Sequence, residues 1–347
     1  MLDERKTAIL GAVVHEYIAT AQPVGSGHIA RAPGVGVSPA TVRNEMAVLE
    51  QEGFLVQPHT SAGRIPTDKG YRFFVDHLGR PGRLDEATSA QVGEFFAAAH
   101  GRLEEMLHRT STLLSQLTTY ASVVVGPKAE AAVVRSVQLV GLGPSTATVV
   151  VVFGNGAVES QVISFAESTE EVSQPGADRS PLGEVSEARL SAAAAHLSTC
   201  LAGSTVASVE EPTTTGDELT DAICRRAFEA IRAVAADDHV YLGGAASVAA
   251  AFDAVEVVRD VLHTLEQQFI VVTLVRDLVD RGMSVSIGVE HGVEPLAACS
   301  VVVAPVVADG EHLGSVGVLG PTRMNYPQAL ATVGIVSERL GRRLGEG

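Results

Sequence analysis

Two short clusters carry side chains suited to reading DNA. The first lies between positions 38 and 47. Arg43 offers a guanidinium fork for guanine, Asn44 a carboxamide for adenine, and Ala40 and Ala47 methyls for thymine. Ser38 and Thr41 add hydroxyls beside them. The second is His59-Thr60-Ser61-Ala62-Gly63-Arg64, small and polar with a cation at its end. Its hydroxyls can bond phosphates, and Arg64 could enter a minor groove. Taken alone, the first cluster is the wet side of a surface helix and Arg64 a solvated loop charge. Their succession along the chain points to a nucleic-acid surface.

Each cluster needs an element to hold it. Ser38 is a good N-cap and Pro39 suits the first helical position. Val42, Met46 and Leu49 recur at i, i+4 and i+7, giving one apolar stripe, and Gly53 stops the helix. Opposite that stripe stand Ala40, Asn44, Ala47 and Gln51, with Arg43 and Thr41 on the flanks. Phe54–Gln57 then reads as a strand broken by Pro58. Ile65 begins a return strand that Pro66 confines to an edge. Thr67 or Asp68 caps a following helix bearing Tyr71, Phe74, Val75 and Leu78, with Phe73 and Phe74 packing it onto the domain. Upstream, Leu10, Val13, Val14, Tyr17 and Ile18 mark a helix over Leu2–Thr20. Pro23-Val24-Gly25 is a turn, and Ser26 caps a short helix through Arg31, so the second and third helices form a helix-turn-helix pair.

Other chemistries find little support. There is no GxSxG, no phosphate-binding Gly-rich loop and no catalytic dyad at readable separation, so no enzyme is expected and no catalytic residue is named. Eleven His are scattered without metal-ligand spacing, and Cys200, Cys224 and Cys299 are too far apart for a CxxC site or a disulfide framework. No metal or cofactor is expected. The start, MLDERKTAIL, is not a signal peptide, and no apolar stretch spans a membrane, which places the chain in the cytoplasm.

The net charge of -16 argues against a purely electrostatic grip on nucleic acid. Of 25 basic and 41 acidic residues, eight of each lie in positions 1–80, so that segment is neutral and the deficit lies downstream. Affinity should therefore rest on base contacts and on dimerisation.

The runs PVGS (Pro23–Ser26), SPATVRNEM and QPHTSAGRIPTDKGYRFFVD, with GPTRMNY (Gly320–Tyr326) far downstream, resemble the heat-inducible transcription repressor family, HrcA, across essentially the whole chain. The resemblance implies a repressor of heat-shock chaperone genes that binds an inverted-repeat operator in double-stranded DNA as a homodimer. It also implies support of that activity by a GroEL-type chaperonin. The DNA-binding set expected is Ser38, Ala40, Thr41, Arg43, Asn44 and Ala47 on the helix, with His59, Thr60, Ser61 and Arg64 in the ribbon. The alternative is a winged-helix repressor that answers to a small effector through a sensor domain.

At 347 residues the chain should hold two or three domains. The fold class expected is α+β: an N-terminal winged helix-turn-helix over 1–80, a linker and long helix over 81–122, and a GAF-like α/β domain from 123–186 plus 270–347. A mainly helical dimerisation domain is inserted over 187–269, the GAF-like domain and the insertion being what the resemblance implies. Within Asp85–Tyr120, Phe96, Leu103, Thr110 and Leu117 keep heptad spacing, as do Ala99, Met106, Leu113 and Tyr120. That fits either a coiled-coil seam or a helix lying on its own core. Strands are expected at Val133–Leu142, Thr146–Phe153 and Ala157–Phe165, with Gly154-Asn155-Gly156 as a hairpin turn. A linker follows over Glu167–Glu187, then helices at Glu187–Ala202, Gly216–Ala236 and Val255–Gln268 around a short strand at Val240–Gly243. Strands resume at Phe269–Val275 (or a helix there), Ser284–Glu290, Cys299–Ala304 and Leu313–Leu319, before a last helix striped by Leu330, Val333, Leu340 and Leu344. Gly141-Leu142-Gly143 reads as a strand-to-strand turn rather than a dinucleotide loop. Arg323 could bind a carboxylate or phosphate in a pocket, or could pair with an acid such as Glu290 and fix its turn. The second is favoured.

Overall fold

The computed structural model describes residues 2–60, 62–78, 84–98, 103–127, 132–154, 156–165, 185–236, 239–252 and 254–345. The first residues of the 81–122 segment, the expected linker over 167–187 and the centre of the 154–156 turn lie wholly or largely outside them.

The chain begins with α1 (Glu4–Thr20), α2 (Ser26–Ile29) and α3 (Pro39–Gln51), then the strands β1 (Leu55–Val56) and β2 (Ile65–Pro66), then α4 (Asp68–Asp76). Asp3 caps α1 and Thr67 caps α4 by accepting backbone N–H bonds. Gly25, not Ser26, occupies the cap of α2, and that helix ends at Ile29, short of Arg31. Ile9, Leu10, Val13 and Val14 of α1 meet Val42, Met46 and Leu49 of α3 in a shared core.

Helices α5 (Glu86–Ala98) and α6 (Leu103–Thr118) lead into β3 (Ala121–Val125). The heptad pattern is not a free seam: Leu107, Leu114 and Thr118 are buried, and the Ser122 hydroxyl donates to Ser111 O. This helix lies on its own sheet.

A five-stranded antiparallel sheet has the order β7-β3-β10-β9-β8, with β7 (Val240–Gly243), β8 (Val285–Ile287), β9 (Cys299–Ala308) and β10 (Glu311–Pro321). One face, with Val124, Val302, Val316 and Val318, packs with Leu107 and Leu114 of α6 and with Val333, Val336 and Leu340 of α12 (Tyr326–Gly345). The other, with Val123, Val125, Val301 and Val303, is covered by α9 (Ala245–Ala251), α10 (Val255–Glu266) and α11 (Gln268–Asp280). Phe269–Val275, for which the sequence leaves strand or helix open, is helical. Val271, Leu274, Val275 and Leu278 are buried at helical spacing, and a continuous apolar run is ambiguous until a neighbour selects one face.

The three strands β4 (Val134–Gly143), β5 (Thr146–Phe153) and β6 (Val158–Ser164) form a separate antiparallel sheet. Helices α7 (Glu187–Leu201) and α8 (Glu218–Ala236) cover one face and enclose a core of their own around Val149, Phe153, Leu197 and Ile231. The expected borders of the inserted unit, 187–269, do not follow this arrangement. Residues 134–164 share a core with α7 and α8, whereas β7 and α9 to α11 pack with the five-stranded sheet. Strand period alone could not separate two sheets that are adjacent in sequence.

Candidate nucleic-acid interface

Helix α3 starts where its cap dictates. The Ser38 hydroxyl accepts from Thr41 N at 3.2 Å and lies 3.0 Å from the Thr41 hydroxyl, so both side chains are engaged at the helix start. Val42, Met46 and Leu49 are buried, and that anchoring leaves Ala40, Arg43, Asn44 and Gln51 exposed on the outer side. Ala47 is half-buried. Arg43 is exposed and makes no ion pair among the described residues.

The ribbon is braced rather than loose. Leu55 pairs with Pro66 and Val56 with Ile65. Across its base Val24 and Arg64 exchange backbone hydrogen bonds, 2.9 Å each way, which adds the PVGS turn as a third edge. A Cβ on Gly63 would stand 2.5 Å from the Val24 carbonyl carbon, so this close approach demands glycine. In the loop, Gln57 Nε2 donates to Thr60 O (3.1 Å) and Ala62 O (2.8 Å), holding His59 and Thr60 outward and exposed. Ser61 lies outside the described residues.

Arg64 sits at the base of the ribbon, not at its tip. Its Nε donates to Glu50 Oε2 at 2.9 Å, and its side chain is only 15% exposed. It ties the ribbon to α3. Lys69 does similar work from α4: Nζ donates to Glu52 O at 2.7 Å and rests 4.4 Å above the Phe54 ring, neutralising a carbonyl at the end of α3. Neither Glu50 nor Lys69 stood out in the sequence, because their partners are 14 and 17 positions away.

The unit is seated firmly on the sheet. Arg72 donates to Glu290 and to Val285 O, and the rings of Tyr71 and Tyr326 stand 5.9 Å apart. Glu290 is thus the partner of Arg72, not of Arg323, whose Nη2 donates to Ala251 O at 3.1 Å. Burial works to raise the Glu290 carboxyl, but the hydrogen bonds from Arg72 and from Ile287 N outweigh it and hold the group below its ordinary range.

Residues 104–330 match the family model for the HrcA protein C terminal domain. A relative named heat-inducible transcription repressor HrcA, from Pelotomaculum thermopropionicum, is 38% identical over 99% of this chain and 97% of its own. The chain belongs to the HrcA family. A second HrcA, from Nocardia farcinica, is 35% identical over 99% of this chain and 97% of its own. A solved structure described as a hypothetical protein at 2.2 Å resolution is 22% identical, with a TM-score of 0.67 over 100% of this chain and 99% of that one, and it shares the fold. HrcA proteins are transcription repressors of a heat-inducible response, not enzymes, in line with the absence of a catalytic constellation in the sequence. No helix among the described residues is long and apolar enough to cross a membrane.

Proposed function

We propose that this chain represses heat-shock chaperone genes by binding an inverted-repeat operator as a homodimer. Residues 1–78 act as a winged helix-turn-helix, with α3 in the major groove and the β1–β2 loop on the backbone or in the neighbouring minor groove. The observation that carries this reading is the open face of α3: Ala40, Arg43 and Asn44 exposed on a helix whose opposite face is buried, beside a ribbon held by Val24 and Glu50. Arg43 and Asn44 read bases, with Ala40 and Ala47 against thymine methyls. Ser38, Thr41, His59, Thr60 and Ser61 contact phosphates. Arg64 sets the angle of the wing.

The five-stranded sheet with its helices serves as a GAF-like domain, and residues 133–236 as the inserted dimerisation domain. The dimer spaces two half-sites by multiples of about 34–36 Å. Support by a GroEL-type chaperonin comes from the family resemblance: heat-damaged clients compete for chaperonin, and the active repressor declines. The setting is the cytoplasm.

A salt-controlled titration tests the reading. An inverted-repeat duplex from upstream of a chaperone gene is compared with a scrambled duplex, with and without chaperonin. Selective binding that chaperonin strengthens is expected. Equal affinity for both duplexes overturns it.

A further inference from the structure

The base of the ribbon and its tip are held by different means. Strand pairing ends at Val56 and Ile65, and Pro58 has no N–H with which to extend it. Arg64 on Glu50 and the exchange with Val24 fix the base. The tip is closed by half-buried Gln57, whose Nε2 lies 3.1 Å from Thr60 O and 2.8 Å from Ala62 O. Two carbonyls call for two donors, so the amino end of the carboxamide faces them and not its oxygen. Ala62 N takes a third carbonyl, His59 O, at 2.9 Å.

The loop is thereby sorted by chemistry. The carbonyls of His59, Thr60 and Ala62 are bonded within it, whereas the N–H groups of His59 and Thr60 meet no acceptor among the described residues. Both residues are exposed. With its acceptors engaged the tip offers donors, and the Thr60 hydroxyl adds one more. Successive backbone N–H groups in a turn suit an anion, and phosphate oxygens on DNA accept from N–H groups and hydroxyls as well as from cations. That matters here, because residues 1–80 are neutral and Arg64 is spent on Glu50.

We infer that Gln57 is the positioning residue of this donor edge. It takes up the loop's carbonyls and presents the N–H groups of His59 and Thr60, with the Thr60 hydroxyl, to phosphate. Gln57 itself touches no DNA. The inference rests on the winged-helix reading, and half of its test needs no DNA.

Full-length protein is compared with Gln57→Met and Gln57→Glu, which keep the side chain's length and lose its donors. Hydrogen exchange of the Ala62 amide should quicken about tenfold or more in both, while the Arg64 amide on Val24 O stays slow and the melting temperature is unchanged. Gln57→Met should bind the inverted-repeat operator about tenfold more weakly at every salt concentration, with the salt slope of the parent, because neutral donors displace no counterions. The inference is overturned if Ala62 exchange does not change, if operator affinity survives in Gln57→Met, or if the loss comes with a shallower salt slope. A parent that binds operator and scrambled duplex alike overturns the winged-helix reading and this inference with it. A selective parent beside an undiminished variant overturns this inference alone.

Discussion

The guanidinium of Arg72 grips the carboxylate of Glu290 from 218 positions away, with Nε 2.9 Å from Oε1 and a second bond from Nη2 to Oε2. Each side chain is under a third exposed, at 27% and 28%. The pair joins α4, which follows the ribbon, to the turn after β8. The core beneath it is continuous, running from Ile9 and Tyr71 to Val302 and Tyr326. The helix-ribbon unit is therefore oriented by the sheet, not tethered loosely to it.

Arg72→Ala should lower stability by about 1.5–3 kcal/mol, the span for a hydrogen bond to a charged group, because it leaves Glu290 half-buried without its partner. Arg72→Glu should be worse, and Arg72→Glu with Glu290→Arg should recover part of the loss. Urea unfolding of the four proteins checks this. No recovery in the swapped pair would mean that the contact acts through backbone geometry at Val285 rather than through charge.

Asp68 gives the same junction a pH dependence of opposite sign. Burial raises its carboxyl above the ordinary range, with the Glu290 charge adding to the rise and the Val289 N–H opposing it. Its charged form therefore destabilises the fold, and that cost is relieved as pH falls through the raised value. Glu290 is depressed, so its contribution is full above the ordinary glutamate range and is lost as pH falls through its lowered value. Buried His291 favours its neutral form, so acidification works against it too. Differences between variants separate these effects. Asp68→Asn should melt higher than the parent at neutral pH, with the gain vanishing in acid. Glu290→Gln should melt lower at neutral pH, with its deficit shrinking in stronger acid. Melting curves across pH decide it, and a constant gain for Asp68→Asn would rule out the titration.

Gly70 is where α4 crosses the ribbon most closely. A Cβ there would stand 2.3 Å from Phe54 O, a backbone atom that cannot step aside cheaply. Gly70→Ala should cost about 1–3 kcal/mol or more by overpacking. Gly11→Ala on α1 has open space within 4 Å and should stabilise by about 0.5–1 kcal/mol through helix propensity alone. Chemical denaturation of both variants gives the contrast, and equal effects would contradict the packing described at Gly70.

Arg43 and Arg64 should separate recognition from support. Arg43→Ala should lose about 1–3 kcal/mol of operator affinity with melting temperature unchanged, and little on scrambled DNA, if the side chain reads a base. Arg64→Ala and Glu50→Gln should instead lower stability together, since the two side chains hold each other at 2.9 Å. An equal loss on both duplexes for Arg43→Ala would make it a phosphate contact.

What the sequence made legible was local. The Ser38 cap and the Val42-Met46-Leu49 stripe depend on residues within one or two turns, and the structure places each as expected. What stayed hidden depends on distance. That β7 closes the edge of β3 is set by pairing Val125 with Val240, 115 positions apart, for which no local signal exists. The helical state of Phe269–Val275 is selected by the sheet beneath it, and the partners of Arg64, Arg72 and Arg323 are each fixed by tertiary placement.

The outer face of the β4–β6 sheet bears on assembly. Val140 pairs with Thr148 and Thr148 with Val162, so the three stand in a row across the sheet, and Val152 with Val158 continues the same face. Helices α7 and α8 cover only the opposite side, leaving Val162 60% and Val140 48% exposed, with Leu142 at 59%. An apolar sheet face in water favours association. Val140→Lys with Val162→Lys should therefore convert the proposed dimer to a monomer while leaving the core around Phe153 intact, read by light scattering and by an unchanged far-ultraviolet spectrum. A monomer should also lose most of its operator affinity, because each half-site then binds alone. A double variant that still dimerises would move the interface elsewhere, and Phe269, 81% exposed at the start of α11, would be the next position to change.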